Sequence, residues 1–404
     1  MSGSFYNVRD YGAKGDGIAK DTTAIQSAID AASAAGGGII TVPPGLYISG
    51  SIFLKSNIEL YIQSGAVIKA SPDIADYNNA DVCPQNAASP KNGDNTTGGH
   101  LILCINQKNV TLRGEGKIDG NSPAFLLDKE GCHFPSKKAI EVRPSTMLWF
   151  VDSEHISIRN LELADSPYWS CFILNCTHVA VSGCYIHTSR SPHTYNGDGL
   201  DIDRCQYVTV SDCRIDTADD CITLRASYGR LLSLPQDCAF VTVTNCVLSS
   251  SCNAIRLGVG EGNVHHAVFS NLIIRDSNTA FNFVAAYVPT SRGTDITDIR
   301  VSNVIVEAER FCRIHHMHSD DANMDNIYFS DISGTTTKNS CIYAVSKTPF
   351  GKIVFSNLDL NSGFIAVNAP KIEVVGGSFK EVELSNDERR KLIEDVDTRQ
   401  VRLH

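Results

Sequence analysis

The sequence predicts an all-β chain wound as a parallel β-helix, and three observations carry that expectation. Short strand-like segments recur: ISIRNLEL from Ile156, VAVSGCYI from Val179, VTVSDCRI from Val208 and VTVTNCVL from Val241, then VFSNLII from Val268, RVSNVIV from Arg300, IYFSDIS from Ile327 and IVFSNLD from Ile353. The matched positions Arg159, Ser182, Ser211, Thr244, Ser270, Ser302, Ser330 and Ser356 advance by 23 to 33 residues, a period that belongs to solenoids and propellers. Each unit holds Val- and Ile-rich runs and an Asn, Asp or Gly turn but no helical stretch, which favours stacked parallel strands over leucine-rich or ankyrin units. The third observation is a pair of cysteine ladders. Cys176, Cys205 and Cys238 fill one position of successive repeats, and Cys184, Cys213 and Cys246 another. Like residues stack in the interior of such a coil, where free Cys behaves as a small hydrophobe. No CxxC pair occurs among the 14 cysteines, so neither disulfides nor a metal site is expected.

The elements follow in chain order within a single domain, residues 1–404. DTTAIQSAIDAASAAGGG, Asp21 to Gly38, places Ala24, Ile25, Ala28, Ile29 and Ala32 on one helical face between polar starters and a glycine stop. It reads as the cap that covers the open N-terminal coil. Asp76 to Gly99 is a polar, strand-free insertion, a candidate wall of a groove. The coils follow, and NDERRKLIEDVDTRQ from Asn386 closes the chain as a charged tail of helical pattern, about 385–404.

A net charge of −10 argues against a nucleic-acid or anionic-membrane surface, so an anionic ligand would need local cations. No apolar run reaches the length of a membrane span, and MSGSFYNVRD lacks the pattern of a signal peptide. With free-cysteine ladders, this predicts a reducing, cytoplasmic location. No cofactor is implied.

NGDGLDID, Asn196 to Asp203, packs three carboxylates into eight residues. It begins a second set of short strands, GLDID, CITLR, AIRLG, AFNFV, CRIHH and CIYAV, one after each turn. With Leu200, Ile202, Ile222, Leu224, Ile255, Leu257, Phe281 and Phe283 inward, alternation sends Asp201, Thr223, Arg256 and Asn282 out onto one face. Asp198 lies at the entry to one such strand, and Asp219 and Asp220 at the entry to the next. Three carboxylates therefore meet across adjacent coils. Cleaving a glycosidic bond needs a carboxylic acid to protonate the leaving oxygen and a carboxylate to activate water or attack the sugar. Crowding raises at least one pKa, which keeps one group protonated near neutral pH. Asp201 and Asp203 are expected to be solvated residues of the outer face. Arg225 and Arg256 are placed to meet an anion or a sugar, or else to pair with the local aspartates. Trp169, Tyr168 and Tyr195 are candidates to stack on a sugar ring.

These residues resemble glycoside hydrolase family 28, the polygalacturonases and their relatives, from NVRDYGAKGDG through VRPSTMLWF and LADSPYWS to about residue 290. The family's Asn-Thr-Asp-Gly motif appears as Asn196, Gly197, Asp198 and Gly199, and its Asp-Asp motif as Asp219 and Asp220. The resemblance implies a right-handed parallel β-helix, a polysaccharide or oligosaccharide substrate and hydrolysis with inversion. Asp219 would be the general acid, with Asp198 and Asp220 activating water. A lyase, an epimerase or a silent glycan-binding protein is the alternative. The departures are specific. Cys252, Asn253 and Ala254 stand where the family carries Gly-His-Gly, and Asn282, Phe283 and Val284 where it carries Arg-Ile-Lys, whose cations hold the uronate. A later Arg-Ile-His, Arg313 to His315, belongs one coil further on. Asn196, Arg225, Asn253, Arg256, Asn282, Arg313, His315 and Trp169 are therefore the candidate substrate-binding residues. Loops after the acid pair (Ala226 to Asp237) and after the altered cation strand (Ala286 to Asp295) suggest a closed groove and exo-action.

Overall fold

A computed structural model describes residues 4–82, 96–125, 143–189, 196–227, 237–286, 292–317, 321–343, 350–367 and 371–378. Tyr195, most of the polar insertion, the centres of both site loops and the charged tail lie outside these residues. The chain is a right-handed parallel β-helix. Every strand pairing among the described residues is parallel, each strand bonding to its counterparts one coil before and one coil after.

The repeat positions identified in the sequence have a shared structural reason. The residue after each one turns a corner in the left-handed region: Asn160, Gly183, Asp212, Asn245, Asn271, Asn303, Asp331 and Asn357 all have positive φ. Asn and Asp tolerate this conformation better than other side chains, and glycine adopts it freely. Their side chains then bond along the helix axis. Asn245 donates to Asp212 at 3.2 Å, Asn271 to Asn245 at 3.2 Å, and Asn303 to Asn271 at 2.8 Å. Corner and ladder are thus specified by one residue per coil.

Inside, the cysteine ladders are buried free thiols among aliphatic side chains. Towards the C-terminal coils aromatic packing replaces them, with Phe281, Phe311, Phe329, Phe355 and Phe364 in edge and stacked contacts 4.9–6.4 Å apart. Burial of this continuous core drives the fold.

The helix Thr22–Ala34 caps the first coil through Ile25, Ala28, Ile29 and Ala32. Asp21 serves a different purpose from the helix start its sequence position suggests. Its carboxylate makes no cap bond to the helix and accepts instead from the amides of Lys14 and Gly15, at 2.7 and 3.0 Å. No helix among the described residues is long and apolar enough to cross a membrane.

Gly258 shows how tightly the coils are stacked beside the outward row. Its φ is +111°, and a Cβ there would lie 1.8 Å from the carbonyl oxygen of Val284 on the next coil. Gly258→Ala must therefore push two coils apart while holding a strained backbone. A loss of about 2–4 kcal/mol is expected, and a lower urea midpoint with an unchanged m-value is the measurement.

A second apolar cluster lies outside the coil. Leu103, Trp149, Val151, Phe172 and Leu174 are outward residues of consecutive strands, yet all are buried, with Phe53, Ile105 and Trp169 at their edge.

Candidate active site

The outward row is continuous through the strands' register. Asp201 pairs with Thr223, Thr223 with Arg256, Arg256 with Asn282 and Asn282 with Arg313. The inward partners Leu200, Ile202, Ile222, Leu224, Ile255, Leu257, Phe281 and Phe283 are fully buried. Arg313 and His315 fall one coil beyond Asn282 and Val284, both nearly buried.

Asp198 and the pair Asp219–Asp220 are held by backbone at the entry to this row. The Asp198 carbonyl accepts from the Ser170 amide at 2.8 Å, and the Asp220 carbonyl from the Gly199 amide at 2.8 Å. Thr217 and Ser250 hydroxyls clamp the Asp219 carbonyl at 2.7 and 2.6 Å. The glycines of NGDG answer to crowding: a Cβ on Gly199 would sit 2.6 Å from the Cys221 carbonyl, and one on Gly197 2.9 Å from Thr188 Oγ1.

The three carboxyls differ in their surroundings. Asp198 is 6% exposed, and its Oδ1 has no hydrogen-bond partner. Burial, then the charges of Asp219, Asp201 and Asp220, hold its carboxyl well above the usual carboxylate range. Asp219 is partly exposed; burial and the neighbouring Asp220 push it up to about 6, against the pull of Arg256. Asp220 accepts on both oxygens, from Asn253 Nδ2 at 2.6 Å and from Arg256 at 3.1 Å. Two of the candidate substrate-binding residues thus act first on the acid pair.

Arg225 is also committed to the protein. It donates to Asp201 at 3.2 Å, lies 3.8 Å from Asp203, and stacks its guanidinium over Trp169 at 4.7 Å. Trp169 in turn stacks on Phe172 and Tyr168. Asp201 and Asp203 are therefore not the solvated residues the sequence suggests. They are 0% and 1% exposed, because Arg225 and the aromatic layer cover them. Burial pushes Asp201 up to about 7 although Arg225 opposes it.

Asn196 turns with φ +55° and accepts from Arg143 at 3.2 Å. Sequence reading gave Arg143 no role. It is a fully buried arginine that also donates to the Pro167 carbonyl at 2.7 Å and stacks over Tyr168 at 4.7 Å. Its one sequence signal is a lone cation at the head of the apolar run PSTMLWF.

The chain is of the right-handed parallel β-helix class, with carboxylates gathered across adjacent coils on its outer row. Residues 5–301 match the family model described as rhamnogalacturonase A/epimerase, pectate lyase-like. Among curated relatives, a probable polygalacturonase of Vitis vinifera is 29% identical over 59% of this chain and 48% of its own length. An exo-poly-alpha-D-galacturonosidase of Dickeya chrysanthemi is 27% identical over 55% of this chain and 42% of its own length. The chain thus spans about half the length of these two relatives or less. The solved polygalacturonase of Erwinia carotovora superposes with a TM-score of 0.73 at 17% identity, covering 94% of this chain and 97% of that one. The chain belongs to the rhamnogalacturonase A/epimerase, pectate lyase-like family and within it is polygalacturonase-like, of the glycoside hydrolase family 28 kind.

Proposed function

We propose that the chain hydrolyses glycosidic bonds in a pectin-type polysaccharide or its oligosaccharides, with inversion. The observation that carries this reading is Asp198 and Asp219 on adjacent coils, two carboxyls that burial and neighbouring aspartates keep above their ordinary range. Such a pair retains a proton that belongs to both groups. In the reactive complex that proton sits on Asp219, which delivers it to the leaving oxygen. Asp198 and Asp220, ionised, then take a proton from the attacking water. Asn253 and Arg256, donating to Asp220, hold it in place for that step. Arg225 and Trp169 border the sugar-binding surface, and Asn282, Arg313 and His315 extend it towards the C-terminal coils.

The test is proton NMR of a panel of polygalacturonate, rhamnogalacturonan and neutral glycans with wild type and Asp219→Asn. A reducing sugar appearing first as the inverted anomer, and lost in the variant, is expected. An ultraviolet-absorbing unsaturated product would replace this reading with elimination, which the family description also covers.

The same reading fixes a pH dependence. Asp219 must be protonated to act, and the proton it shares with Asp198 is held well above the usual carboxylate range, so kcat/KM falls only on the alkaline side as that proton is lost, approaching tenfold per pH unit. A rate still climbing at pH 8 would remove Asp219 from the acid role.

We extend this reading to exo-action on the ends of the chain substrate. The Dickeya relative's name agrees with it.

A further inference from the structure

We propose that Glu154, His155 and His178 form a binding site for a borderline divalent cation, Zn2+ by ligand chemistry, on the corner that follows the outward strands, whereas the acids stand at their entry. Each residue offers one ligand atom, a carboxylate oxygen or a ring nitrogen, and these atoms lie within 4.8 Å of one another. The coil period makes the site. Glu154 pairs with Thr177 and Ile156 with Val179, so His155 and His178 occupy matching positions of successive coils. Both turn in the left-handed region, with φ of +57° and +56°, and both side chains are exposed, so an ion reaches them directly. Their rings stack at 4.7 Å with planes 30° apart.

The surroundings hold these ligands in place, as outer-shell groups do in metal sites. Tyr207, one coil further on, stacks on His178 at 5.1 Å and itself on Phe240 at 5.1 Å, so the His178 ring is kept between His155 and Tyr207. Lys108 Nζ anchors Glu154 Oε2 at 2.8 Å, which leaves Oε1 facing His155 Nε2 at 3.2 Å. Lys108 opposes a cation, but its side chain is 68% exposed, and water and salt weaken that repulsion.

The donor set selects the metal. Two imidazole nitrogens and a carboxylate oxygen form a zinc-type shell that water completes, whereas Mg2+ and Ca2+ favour oxygen alone. Each new bond uses a lone pair of nitrogen or oxygen; the contact between His155 and Glu154 opens, any proton on a ligating atom leaves to solvent, and nothing is oxidised or reduced. The ion ties two successive coils together and, by binding the folded chain, raises its melting temperature. The sequence suggested no metal site because the two histidines stand 23 residues apart, outside any local ligand motif.

The experiment measures Zn2+ binding by calorimetry, with Mg2+ as comparison, for the full chain and for His155→Asn and His178→Asn, beside thermal melts with and without Zn2+. Asparagine tolerates the left-handed backbone that both positions adopt, so the variants keep the corner. One Zn2+ per chain is expected, with affinity about tenfold or more lower in each variant and a Zn2+-dependent rise in melting temperature that the variants lose. No saturable binding, Mg2+ bound as tightly as Zn2+, or a Zn2+ affinity unchanged in both variants overturns the site. Neither readout needs turnover, so the outcome is separate from whether the chain hydrolyses a glycan.

Discussion

Asp219→Asn lowers kcat by about 10²–10⁴-fold, the range a positioned general acid supplies, with little change in KM, because the amide keeps the shape of the side chain but cannot deliver the proton. The same substitution stabilises the protein at neutral pH. Folding raises the Asp219 pKa from 3.8 to about 6, so the folded state holds the proton more tightly than the unfolded state. Stability is therefore fully present below the unfolded pKa and is lost as pH rises through the folded one, at a cost of up to about 3 kcal/mol at pH 7. Asparagine does not ionise and escapes that cost. Thermal melts should show the variant above wild type at pH 7, with the gap closing near pH 4 as wild-type Asp219 becomes protonated in both states. A variant that is inactive yet no more stable at pH 7 would mean that Asp219 does not carry the strain assigned to it.

Arg143→Met is expected to lose both stability and rate. The arginine ties three separated segments: its backbone carbonyl accepts from the Thr97 amide at 3.0 Å, and its guanidinium reaches the Pro167 carbonyl and the Asn196 side chain. Methionine refills much of the volume but leaves the latter two acceptors without their donor. Each such buried loss costs about 1–3 kcal/mol, so a total of roughly 2–5 kcal/mol is expected. Asn196 would be free to shift, and Asp198 with it. A displacement near 1 Å at a reacting group costs on the order of 10²-fold. The measurement is kcat and KM beside the urea midpoint, with Arg143→Lys as comparison. Lysine restores the charge but not the two-pronged geometry, so it should recover stability more than kcat. Equal kcat in all three proteins would show that the arginine braces the fold without positioning Asp198.

Much of this architecture was legible because two periods coincide. Alternation along the strand decided that Thr223, Arg256 and Asn282 point outward, and the coil period aligned Asp198 with Asp219 and Asp220. Both are local rules, and both hold in the structure. What lies above the row was not legible. The burial of Asp201 and Asp203 depends on Arg225 folding back over Trp169, an arrangement between residues far apart in sequence. Arg143 was missed for the same reason, since its partners come from segments with no common spacing. The polar start of the capping segment likewise does not reveal that the Asp21 carboxylate closes the loop ahead of it.

The hydrogen-bonded corner of asparagines and aspartates has a consequence for how the molecule loosens. Each coil touches only the coils beside it, so disruption starts at an end and must travel inward one coil at a time. The coils of Asp198, Asp219 and Asn253 lie in the interior of that array, with several coils on either side. Fraying at either terminus leaves their spacing intact, and the acids keep their separation at temperatures where the ends have already begun to melt.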